Sequence, residues 1–203
     1  MDQILNQLIK EELAPIFRID GFKGSVRNYR RLRGELIHII NIQSSTWGGE
    51  FAINLGVHLS FLPTVSGSIV EYFKLKEFDC EFRRRMSKTD NDQWWKYDQD
   101  EKSIMSAVLE AKQTYLDNGR KQLNYFGEYP KDFSHITIEK IATGRKMIGG
   151  FRNTPRLALV LARIRVYEHN NEEAKKFIEY GLKNIGNAKM LENSFIELLS
   201  SIS

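Results

Sequence analysis

Two-residue alternation from Phe51 to Ser60 constrains this chain more tightly than any other feature. Phe51, Ile53, Leu55, Val57 and Leu59 occupy the odd positions, while Ala52, Asn54, Gly56, His58 and Ser60 occupy the even ones. Successive side chains of a strand point to opposite sides of a sheet. The segment therefore predicts a strand with one apolar wall and one narrow, polar face. Leu36 to Ser44 precedes it, with Leu36, Ile40 and Ile42 on one face and Ile37 and Ile39 on the other. A strand apolar on both sides sits centrally and is at least partly covered on both. Its last residues, Asn41, Gln43 and Ser44, turn polar. Trp47-Gly48-Gly49 lies between the two strands, and glycine supplies the positive φ that a short hairpin turn needs.

Further strands flank this hairpin. Ser25 to Arg33 reads as a first strand with Val26 and Leu32 inward and arginines outside, joined through Gly34. After a longer, partly extended connection over 61–76, Phe78 to Met86 reads as a fourth. Cys80, Phe82 and Met86 share one face there, and Asp79, Glu81, Arg83 and Arg85 the other. Sequential short strands of this kind predict an antiparallel meander.

The remainder has a helical period. Residues 2–14 carry Leu5, Leu8, Ile9 and Leu13 at three-and-four spacing, and Pro15 discourages continuation. Ile104, Met105, Val108, Leu109, Tyr115 and Leu116 predict a helix stopped by Asn118-Gly119. Ser134 is expected to cap a helix containing Ile138 and Ile141, and Gly144, Gly149 and Gly150 mark a loop between halves. Thr154 and Pro155 form a favoured helix start. Leu157, Val160, Leu161 and Ile164 follow it inward, and Asn170-Asn171 closes that helix. Glu172 and Glu173 open the next, at the positive end of its dipole. The stretch from Ala158 to Ile185 resembles one tetratricopeptide-type helical hairpin, but no second copy follows at the required period. The expected fold is α+β: an antiparallel β-meander of about four strands packed against an N-terminal helix and C-terminal helices. Residues 1–150 would form the core domain, and 151–203 a helical tail packed on it or appended to it.

Composition narrows the class of protein. Of the 203 residues, 41% are hydrophobic and 28% charged, the balance of an ordinary globular chain. No apolar run approaches the ~18 residues of a membrane span, and the acids in the N-terminal helix argue against a signal peptide. The single cysteine, Cys80, excludes an internal disulfide and points to the cytoplasm. The net charge of +4 is unevenly spread. Lys23, Arg27, Arg30, Arg31 and Arg33 fall in one acid-free run, and Arg83-Arg84-Arg85 in another. Such patches attract phosphates or an acidic protein surface, or they protect a sheet edge against aggregation.

No complete catalytic set is visible. Cys80 and His58 fall on consecutive predicted strands, so a thiolate–imidazole pair is worth weighing. However, His58 belongs to a polar face and Cys80 to an apolar one. The four histidines, His38, His58, His135 and His169, form no i, i+4 pair, although His38 and His58 could face each other across the hairpin. Thr143-Gly144-Arg145-Lys146 is too short and too poor in glycine for a phosphate loop. No metal or cofactor is expected. Trp94 and Trp95 interrupt a polar stretch after Asp90 and Asp92. Either both seal the end of the sheet, or one packs over it while the other rims a binding surface, where Arg83 or Arg85 could stack on it.

Several short motifs together carry a family resemblance. In order they are Pro15-Ile16-Phe17-Arg18-Ile19-Asp20-Gly21-Phe22, Asn41-Ile42-Gln43-Ser44, Asn54-Leu55-Gly56-Val57, Cys80-Glu81-Phe82-Arg83-Arg84-Arg85-Met86 and Asp92-Gln93-Trp94-Trp95. Over roughly residues 1–120 the chain resembles the bacterial domain-of-unknown-function family 4304. The resemblance implies an intracellular α+β protein without an established activity, of accessory or immunity type rather than an enzyme. It implies Gln43, Ser44, Asn54, Arg83, Arg85 and Trp95 as the residues of any binding site, and the extra arginine of the 83–85 run departs from a simple two-arginine site. The expected function is a non-enzymatic protein-binding module, with an acidic protein as the expected partner. The alternative is an anion or nucleic-acid binder using Arg27, Arg30, Arg31, Arg83 and Arg85, against which Asp79 and Glu81 argue. A hydrolase built on Cys80 and His58 is a third reading.

Overall fold

A computed structural model describes residues 2–89, 91–143 and 154–202. Asp90, the Gly144, Gly149 and Gly150 loop, most of the 143–146 stretch, the boundary at 150/151 and the Thr154 side chain lie outside the described residues.

The fold is α+β. β1 (Lys23–Ser25), β2 (Asn28–Arg33), β3 (Leu36–Ser44), β4 (Glu50–Leu59) and β5 (Phe82–Arg85) form an antiparallel sheet in sequence order, and β6 (Trp95–Lys96) pairs with β4 below β5. The meander therefore has two short strands beyond the expected four. Residues 25–33 are not one strand: Val26 and Arg27 turn the chain between β1 and β2, with Val26 at φ 50°. Val26 and Leu32 are exposed, and Tyr29 is the inward residue of β2. Tyr29 pairs with Ile40, so the inward row runs through the aromatic ring and not the aliphatic side chains. Gly24 is fixed by close approach, because a Cβ there would lie 2.1 Å from the Asn28 carbonyl oxygen.

The register gives the sheet two faces. Leu36–Leu59, His38–Val57, Ile40–Leu55 and Ile42–Ile53 pair along one face. With Phe51, these apolar residues join the main core, where helices cover them. Ile37, Ile39, Asn41 and Gln43 pair with His58, Gly56, Asn54 and Ala52 on the other face. Only part of that second face is apolar. Ile37 and Ile39 pack with Leu75 and Cys80, and with Val70 and Tyr72 beside them, so the connection over 61–81 covers that half. Asn41, Gln43 and Asn54 occupy the rest.

The N-terminal helix runs further than Pro15 suggests. α1 (Asp2–Leu8) continues through a π-helical turn, Ile9–Leu13, into α2 (Ala14–Ile19). Proline lacks an N–H and its ring clashes with the carbonyl four residues back. The wider turn, in which the Ala14 N–H reaches the Ile9 carbonyl, places Pro15 at the start of a fresh helical segment. Gly119 likewise is not a stop. α3 (Glu101–Thr114) passes through the π-helical Tyr115–Gly119 into α4 (Arg120–Leu123), and Gly119 is helical at φ −57°. The reason for glycine is packing: a Cβ would sit 2.7 Å from both Met86 Sδ and the Tyr115 ring.

α5 (Lys131–Ser134) ends at Ser134, and the hydroxyl that caps α6 (Ile138–Ala142) is that of Thr137. α7 (Thr154–Tyr167) and α8 (Asn171–Lys183) form the helical hairpin, with Asn170 capping α8 through the Glu173 N–H. α9 (Glu192–Ser201) closes on them, and Phe195 packs on Gly181. Leu157, Val160, Leu161 and Ile164 of α7 belong to the same apolar cluster as the covered sheet face. Among the described residues, no helix is long and apolar enough to cross a membrane.

Candidate functional site

The open half of the second face carries one hydrogen-bonded row across four strands. Arg85 Nε of β5 donates to Asn54 Oδ1 of β4 at 3.3 Å. Asn54 Nδ2 donates to Asn41 Oδ1 of β3 at 3.2 Å and to Gln43 Oε1 at 2.9 Å. Asn41 Nδ2 donates in turn to Asn28 Oδ1 of β2 at 3.1 Å. Every donor points the same way, so successive bonds polarise one another. The row is a consequence of register, because Asn28–Asn41, Asn41–Asn54 and Asn54–Arg85 are directly opposed pairs.

The row begins at a clamped cation. Arg85 Nη1 donates to Asp92 Oδ2 at 2.6 Å, and its guanidinium lies 4.4 Å from the centre of the Trp94 ring. It ends on open donors: among the described residues, the Asn28 Nδ2 and Gln43 Nε2 groups have no hydrogen-bond acceptor. Gln43 is exposed, while Asn28, Asn41 and Trp94 are half-buried. Trp47, at the tip of the β3–β4 hairpin, is 96% exposed. This face thus presents side-chain donors beside the Trp94 ring.

Of the six residues expected from sequence, the structure brings Gln43, Asn54 and Arg85 into this row. Arg83 stands on the same face, opposite Gly56 and exposed. Ser44 belongs to the other row by its register with Phe51, and its hydroxyl accepts from Arg27, which also reaches Asn6 of α1. Trp95 is 2% exposed and stacks on Phe51 at 5.6 Å inside the core. The indole beside the arginine is its neighbour, Trp94. The alternation of Trp94 outward, Trp95 inward, Lys96 outward and Tyr97 inward is the signal that separates the two. Asn28 and Asn41 were not singled out from sequence; only strand register reveals them.

His38, His58 and Cys80 are structural. His38 and His58 do not meet, since the register places them on opposite faces. His38 Nε2 donates to the Phe126 carbonyl at 2.9 Å, and burial, with Arg31 beside it, pulls its pKa down to about 4. His58 is held by the backbone at both nitrogens: Nε2 donates to the Leu62 carbonyl and Nδ1 accepts from the Glu81 N–H. Burial lowers its pKa as well. Cys80 does not share a face with Phe82 and Met86. It turns to the second face, against Gly56, where a Cβ would lie 2.8 Å from its sulfur. Its thiol points to the Lys76 carbonyl, and burial pushes its pKa up. A buried protonated thiol is a poor nucleophile, and this histidine has no free nitrogen with which to activate it. Among the described residues, no cluster of three or more histidine, cysteine or acidic side chains could hold a metal ion.

Most arginines of the basic runs are used internally. Arg27 binds Asn6 and Ser44, Arg30 Nε donates to the Leu75 carbonyl, and Arg31 donates to the Asp20 carbonyl while covering the Phe22 ring.

The model of a family described as a domain of unknown function, DUF4304, matches residues 13–116, the region that builds the sheet and the row. No curated protein and no solved structure matches the chain.

Proposed function

The chain belongs to the DUF4304 family, whose function is unknown, so its role must come from its own surface, and we propose that it is a non-enzymatic protein-binding module of accessory or immunity type. The single observation that carries this reading is the head-to-tail row from Arg85 to Asn28, which starts beside Trp94 and ends in donors with no acceptor among the described residues. Tryptophan and arginine dominate binding hot spots, and a prearranged row loses little conformational freedom on binding. The open donors and Arg83 favour an acidic partner. Arg27, Arg30, Arg31 and Arg85 already donate to acceptors within the chain, which holds their guanidinium groups in place and limits how many can turn outward to the phosphate contacts that drive nucleic-acid binding. This favours a protein over an anion or a nucleic acid.

The test is site-specific photo-crosslinking in cells that natively express the protein. A crosslinker at Gln43 should trap one discrete partner, and Trp94→Ala should abolish the adduct. The same crosslinker at Leu109, exposed on α3, should trap nothing. An identical adduct from both positions, or one that survives Trp94→Ala, would remove the proposal.

A further inference from the structure

A cleft of about 470 Å3 opens beside β5, between the 61–81 connection, the start of α7 and the segment leading into α9. Val65, Phe78, Met190 and Leu191 give it a largely apolar lining, and Phe78 and Met190 are 55% and 94% exposed. Its size and mostly apolar lining are those of small-molecule sites.

Charge adds a constraint. Deep in the cleft, Arg156 grips the Glu81 carboxylate through Nε at 2.9 Å and Nη2 at 2.5 Å, so that pair is neutral as a unit. Arg83, exposed on the same lining, has no hydrogen-bond or ion-pair partner among the described residues. Arg83 thus adds a guanidinium without an ion-pair partner to an otherwise largely apolar lining.

The main chain narrows the occupant further. The N–H groups of Val65, Cys80, Ala188 and Leu191 are all bonded within the chain, and that of Glu81 is held by His58. A peptide laid here would find few main-chain donors, whereas a hydrocarbon chain with one anionic end needs none. We propose that this cleft binds the anion of a free aliphatic carboxylic acid, its chain along Val65, Phe78, Met190 and Leu191 and its carboxylate on Arg83. The cleft borders the face that carries the polar row and shares Arg83 with it, but none of the row's own residues lines it.

Calorimetric titration of the full chain with decanoate, below the concentration at which decanoate self-associates, tests the proposal. Saturable binding is expected, weakened about tenfold by Arg83→Gln through loss of a charge-assisted contact. Decanol should bind both proteins equally, because it lacks the anionic end. Met190→Asp, at a position too exposed to disturb folding, should also weaken decanoate. Three results would overturn the assignment: no saturable binding, equal affinity in Arg83→Gln, or tighter binding of a short leucine-terminated peptide than of decanoate.

Discussion

On the helix side of the sheet, Tyr29, Ile40, Ile53 and Leu55 continue into a core built with α1, α2, α3 and α7; on the other side, the same strands offer Ile37 and Ile39 to a loop and leave Asn41, Gln43 and Asn54 in a polar row. The strands, register and twist are common to both, so the difference lies in side chains alone. Apolar burial organises the first face, and that force is non-directional. Hydrogen-bond geometry organises the open half of the second, so its residues are replaceable for stability yet fixed in position. A surface with that combination is suited to recognition.

The contrast can be broken first by truncating the covered side. Phe51→Ala removes a fully buried ring stacked on Trp95 and should cost about 3–5 kcal/mol by denaturant titration. An unchanged midpoint would deny that this face is the core.

Acid should act on the same side. The His38 pKa is depressed to about 4 in the folded chain, against about 6.5 unfolded, so the unfolded state takes up the proton more readily. Stability from this group is intact above pH 6.5 and is lost as pH falls toward 4, by roughly 3 kcal/mol in full. His38→Gln should flatten that part of the stability–pH curve, and His58, shifted in the same direction, should supply the residual slope. A curve unaltered by the substitution would contradict the buried neutral imidazole.

Steric intolerance should reach the loop-covered half of the second face more mildly. In Gly56→Ala the new Cβ would meet Cys80 Sγ at 2.8 Å and Cys80 Cβ at 3.3 Å, an overpacking cost of about 1–3 kcal/mol. Thermal unfolding is the measurement, and a neutral result would mean that Cys80 does not sit on this glycine. In the open half the costs shrink again. Asn54→Ala strips partners from Arg85, Asn41 and Gln43 together and should cost about 1 kcal/mol. Gln43→Ala, at an exposed position, should stay within about 0.5 kcal/mol. Equal losses at Phe51 and Gln43 would erase the distinction between the faces.

The two faces also differ in how far the sequence discloses them. Alternation from Phe51 to Leu59 places the covered wall directly, because period two has only one structural reading at that length. Two-sided apolarity likewise places β3 in the interior. The polar row is different: Gln43, Asn54 and Arg85 come from the family resemblance, and Asn28 and Asn41 appear only when the register is known. Local rules misled where packing overrode them. Pro15 and Gly119 look like helix ends, but a π-turn absorbs the one and a close approach of Met86 and Tyr115 explains the other. Two adjacent tryptophans must part across a strand; the alternation with Lys96 and Tyr97 hints which goes inward, and the pairing of Trp95 with Phe51 fixes it.

The most direct test uses thiol labelling in a Cys80→Ser background under native conditions, comparing Gln43→Cys with Ile53→Cys. The expected result is rapid reaction at position 43, close to that of an unfolded peptide, and reaction at position 53 only as fast as the chain unfolds. Equal protection at both positions, or equal reactivity, would contradict a sheet with one sealed face and one face half open to a partner.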